Sequence, residues 1–134
     1  FRDMILPYYK KVMDIAHAQG VEFTWYDSDG NLRELIPDYL SVGINCTCPT
    51  EVAADMVPIE LRRDFGKEMR YAGGIDKREI AKGKAAIDAE ITRNQPLIDE
   101  GGFFPSIDHS VSADISWDNY RYFIDALVKA QTFD

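Results

Sequence analysis

Cysteine is scarce in this chain, basic residues are outnumbered by acidic ones, and no long hydrophobic run occurs. The two cysteines are Cys46 and Cys48, and thiols so close in sequence rarely form a structural disulfide, which usually closes a longer loop. A reducing compartment is therefore expected. No run of about 18 apolar residues marks a membrane span, and no charged leader precedes an apolar stretch. The sequence reads as cytoplasmic. Acidic residues exceed basic ones by 23 to 15, for a formal net charge of -8. That balance opposes binding to phosphate backbones and anionic membranes, so no nucleic acid and no membrane is expected as a partner. A G-x-G-x-x-G is also missing after the first predicted strand, which argues against a dinucleotide site.

What remains suffices for one domain over residues 1–134, because a 46% hydrophobic content can build a core without disulfides or metal staples. Ile5, Tyr9, Val12, Met13, Ile15 and Ala16 recur at helical spacing within a helix predicted from Met4 to Gln19, and Gly20 supplies its stop. The chain thus opens inside a helix, as a fragment would. Val21 to Tyr26 is β-branched and aromatic, the pattern of a strand. Three more strands are predicted at Ile44 to Cys48, Met69 to Ala72 and Phe103 to Ile107. The helices between them cover Leu32 to Leu40, Glu51 to Phe65 with a bend at Pro58, and Asp76 to Glu100 with breaks at Gly83 and Pro96. A last helix starts at the N-cap Ser116, with Asp118 in its first turn.

One leading helix followed by four strand–helix units implies an α/β fold with a parallel sheet and right-handed crossovers. Such units fit either an open doubly wound sheet or half of an eight-stranded barrel. In both, functional residues belong at the C-terminal ends of the strands. That rule selects Asp27 to Asn31, Cys46 to Thr50, Gly73 to Arg78 and Ser106 to Val111.

Read in order, these clusters resemble the C-terminal half of the uroporphyrinogen decarboxylase and corrinoid methyltransferase superfamily. The resemblance spans essentially the whole chain. Its marks are Asp29-Gly30-Asn31, the strand Ser41-Val42-Gly43-Ile44-Asn45, Gly73-Gly74-Ile75-Asp76, and Pro105-Ser106-Ile107-Asp108-His109 leading to Asp114 and Asn119-Tyr120. It implies the C-terminal half of a (β/α)8 TIM barrel whose N-terminal half is absent. The open sheet edges would then be met by that missing half or by a homodimer.

The resemblance also implies a chemistry, metal-assisted methyl transfer from a corrinoid, with a corrinoid protein as partner. In the methyltransferase branch a His-x-Cys and a distant Cys hold zinc. By motif, those positions fall on Asp27, Asp29 and His109 here, a set that suits a harder divalent ion better than zinc. The alternative is a cofactor-free carboxy-lyase of tetrapyrrole biosynthesis, and under either chemistry His109 and Asp29 are the catalytic candidates. Asn45, Gly74, Asp76 and Arg78 are then candidates for binding a small-molecule substrate, Arg78 through a carboxylate. A third alternative is a non-catalytic half-barrel that serves as an interaction module.

Each candidate has a plainer reading. Asp27 and Asp29 can be turn and cap residues, Asp76 to Arg78 can be helix-start chemistry, and Cys46 and Cys48 can be core residues instead of thiolate ligands.

Overall fold

The structure, a computed structural model, describes residues 1–132. Helix α1 (Leu6–Ala18) leads into strand β1 (Trp25–Asp27), and α2 (Ile36–Val42) follows. Next come β2 (Cys46–Thr50), a short 3-10 turn (Val52–Ala54), α3 (Pro58–Phe65) and β3 (Arg70–Ile75). Helices α4 (Lys77–Lys82) and α5 (Lys84–Glu100), strand β4 (Phe103–Ile107) and α6 (Trp117–Ala130) complete the order. All strand pairs are parallel, and their order in the sheet is β1-β2-β3-β4. The fold is therefore α/β with one parallel sheet. Because the strand order never reverses, right-handed crossovers deliver the helices to one face of the sheet. No helix among the described residues is long and apolar enough to cross a membrane.

The pleat sorts the side chains accordingly. Tyr26, Thr47, Tyr71 and Phe103 lie in register across the four strands. Tyr26 meets Tyr39 of α2 at 4.6 Å and Tyr9 of α1 at 5.6 Å between ring centroids, so this face receives the helices. Tyr39, Tyr71, Leu61, Ile80, Ile87 and Phe123 are fully or almost fully buried there. The opposite face carries Trp25 and Phe104, both exposed. Neighbouring parallel strands stand about 4.8 Å apart, so β1 and β4 in a flat sheet would be separated by roughly 14 Å. Yet the rings of Phe23, just before β1, and Phe104 of β4 approach to 5.3 Å. The sheet is curled towards its helix-free face.

Several element boundaries differ from the sequence expectation: β2 runs Cys46–Thr50 instead of Ile44 to Cys48, and α3 begins only at Pro58. Strand β1 is shorter than Val21 to Tyr26 because the Asn45 side chain, and not a neighbouring strand, takes the Thr24 amide and the Glu22 carbonyl. Strand β3 runs through Gly73 and Gly74, which were expected to stop it. Both have positive φ, and both are crowded: a Cβ at Gly73 would lie 3.0 Å from the Thr50 amide nitrogen, and one at Gly74 would collide with Pro58 Cγ. Glycine continues the strand where no side chain fits. Pro96 stays inside α5, whose buried Ile87, Ile91, Leu97 and Ile98 offset the lost backbone bond. Gly83, with φ 109°, does divide the expected long helix.

The free edges are unequal. Gly102 accepts from the Tyr71 amide and the Asp108 amide donates to Ile75, so even-numbered residues of β4 bond to β3. Pro105, which has no N–H, therefore faces the open edge, and a strand joining there would find one donor missing.

Candidate functional site

The strand ends selected from sequence form one mouth, and the two residues that follow β4 touch the loops after each of the other three strands. Asp108 is completely buried. Its Oδ2 accepts from the Val52 amide at 3.0 Å and its Oδ1 from the Lys77 amide at 3.1 Å, which ties the loop after β2 to the loop after β3. Burial pushes the Asp108 carboxyl above its ordinary value, and the two amide donors only partly oppose that. His109 points to the remaining loop. Its Nε2 lies 3.2 Å from Asp29 Oδ1, a contact that the curl of the sheet makes possible.

Asp27, Asp29, Cys48, Pro49, Ile107, His109 and Ser110 line a shallow cavity of about 300 Å³ at this mouth. The three residues placed together by motif, Asp27, Asp29 and His109, thus converge on one concavity. Among the described residues no three His, Cys, Asp or Glu side chains are grouped closely enough to hold an ion. Asp29 instead spends one oxygen on His109. Cys48 borders the cavity, and burial followed by the nearby Asp27 charge raises its thiol pKa. Cys46 is completely buried and pushed up to about 12, mainly by burial. Neither thiol is poised as a thiolate.

The other candidates lie elsewhere or are already occupied. Asn45 precedes β2 and so sits at the opposite end of the sheet from the mouth, its amide bonded to Thr24 and Glu22 backbone. Gly74 is buried, and the side where a Cβ would stand is filled by Pro58 and Phe103. Asp76 caps α4 by accepting from the Arg78 amide at 2.9 Å, and the Arg78 guanidinium grips the same carboxylate at 2.7 Å. Burial would raise Asp76, but the hydrogen bonds from Arg78 prevail and hold it below the ordinary carboxylate value. The Asp76 amide in turn donates to buried Glu90. Arg78 is therefore engaged within its own helix start, as the plainer reading has it.

Sequence reasoning named Asp108 only as part of the Pro105 to His109 motif and passed over Glu90. For Asp108 a usable signal existed, since a carboxylate directly at a strand end can accept from adjacent loops. Glu90, in mid-helix, gave none. No protein-family model, curated protein or solved structure matches the chain.

Proposed function

We propose that the chain forms the C-terminal half of a (β/α)8 barrel enzyme resembling the uroporphyrinogen decarboxylase superfamily, in which His109, held by Asp29, exchanges a proton with a small-molecule substrate. One observation carries this reading: the 3.2 Å contact between His109 and Asp29 joins the loops after the first and last strands beside a cavity. A carboxylate on one imidazole nitrogen orients the ring and leaves Nδ1 for a substrate atom. In a decarboxylation, the bond to the leaving carboxylate breaks, its electron pair stays on carbon as CO2 departs, and the imidazolium supplies the proton that ends on that carbon. Asp27 and Asp29 make this part of the rim acidic, so a substrate would direct its acid groups away from them.

The proton-transfer chemistry favours the carboxy-lyase branch. Corrinoid methyl transfer in this family relies on a metal, and the donors at the mouth are not grouped to hold one. Titrating the 15N-labelled protein with a porphyrin tetracarboxylate should shift the Cys48, His109 and Ser110 amides first. His109→Gln should weaken that binding about tenfold, the equivalent of one hydrogen bond to a charged group. Shifts confined to the cavity that Asp88 and Ile91 of α5 line with Tyr122 and Asp125 of α6 would overturn the assignment.

A second reading, an interaction module, has one observation in its favour. The outward side of α1 exposes Tyr8, Val12 and Ile15, continued by Met4 in the turn before it, a stripe at helical spacing that the other described residues leave uncovered. Self-association abolished by Val12→Asp, together with no porphyrin binding, would support it.

A further inference from the structure

We infer that Asp108 is the positioning residue of this mouth, acting through the loops it ties and through His109. The inference rests on the role proposed for His109. A fully buried carboxylate is costly to keep, and here it faces no cation within ion-pair distance among the described residues and accepts only from the first residues of the 3-10 turn and of α4. What it does is accept one amide from each of two loops that differ widely in sequence position, Val52 and Lys77. Its own amide closes the β3–β4 ladder on Ile75.

The backbone beside it leaves no slack. A Cβ at Gly73 would approach the Asp108 Cα to 3.4 Å and the Thr50 amide nitrogen to 3.0 Å, so the ends of β2, β3 and β4 pack at contact distance about Gly73, next to Asp108. His109 is the next residue. With Asp108 anchored on both sides, the His109 backbone has a fixed origin from which its ring reaches Asp29. Remove the anchor and the pair loses its register although neither partner has changed.

The test compares Asp108→Ala and Asp108→Asn with the wild type by NMR. In Asp108→Ala, amide exchange at Val52 and Lys77 should rise about tenfold or more, because each loses its acceptor. The nuclear Overhauser contact between the His109 ring and Asp29 should disappear, while the Ile87 and Ile91 amides in α5 keep their protection. Should Asp108→Ala not fold, Asp108→Asn decides: its single carbonyl oxygen replaces one acceptor, so only one of the two amides should accelerate.

A uniform rise at all amides, or a His109–Asp29 contact that survives in both variants, would overturn the inference. A porphyrin tetracarboxylate titration separates it from the functional reading. If the wild type binds nothing at His109, that reading fails while the exchange data still decide the role of Asp108. If the wild type binds and Asp108→Asn binds equally well, the positioning role is rejected.

Discussion

The two flanks of the sheet are built differently. On the β3–β4 side, strands of six and five residues are covered by α4, α5 and α6, which bury Ile80, Ile87, Leu97, Phe123 and Leu127. On the β1 side the strand has three residues and α1 buries none. There α1 is attached through an aromatic group, Tyr9 with Tyr26, and through Arg2, which grips the Asp38 carboxylate at 2.9 Å. Apolar burial supplies most folding free energy, whereas an exposed ion pair supplies little. The mouth spans both flanks, anchored on one by buried Asp108 and reaching the other through an exposed His109–Asp29 pair. One flank is covered by three helices with buried faces, while on the other α2 is buried and α1 packs only through half-buried Leu6, Tyr9 and Met13.

A substitution of a buried residue on one flank and of an exposed residue on the other should show that difference. Phe123→Ala in α6 should cost about 3–5 kcal/mol in denaturant unfolding, the usual cost of emptying a buried aromatic site. Val12→Ser in α1 should stay within about 0.5 kcal/mol, and a large loss there would mean that the α1 flank is packed after all. Gly74→Ala should cost roughly 2–4 kcal/mol, since it adds a collision with Pro58 to a positive φ. A neutral result would place the β3 bend elsewhere.

A smaller effect concerns pH. Asp76 has a folded pKa below its ordinary value, so its contribution is present above the unfolded pKa and is lost as pH falls through the folded one. Asp108 has the opposite sign, with a raised folded pKa, so its ionisation costs stability as pH rises past the ordinary carboxylate value. Asp76→Asn should therefore be nearly silent in acid and destabilising at neutral pH. The deficit of Asp108→Asn should instead shrink as pH rises. Unfolding midpoints of both variants across the acid range check the two signs together.

The strand–helix alternation was legible because apolar clusters and glycine stops recur at regular intervals, and the strand-end rule selected the clusters Asp27 to Asn31 and Ser106 to Val111, within which the resemblance singled out Asp29 and His109. Three features were not legible. Gly73 and Gly74 look like terminators unless one knows that Thr50 and Pro58 crowd them. Asn45 looked like a strand-end group, but its amide substitutes for a strand neighbour at the opposite end. The double tie of Asp108 joins residues 56 and 31 positions away, a separation that no local pattern encodes. Chemistry confined to one loop can be read from sequence, while ties between loops require the fold.

Residue-resolved amide exchange across the intact chain tests most directly whether the mouth is anchored on one side and only pinned on the other. The Val52, Lys77 and Asp108 amides should exchange as slowly as Tyr71 in β3, opening only with the whole domain, while amides of α1 and β1 should exchange faster through a separate partial opening. Equal protection of both flanks, or Val52 and Lys77 exchanging at the rate of free loop amides, would contradict the asymmetry.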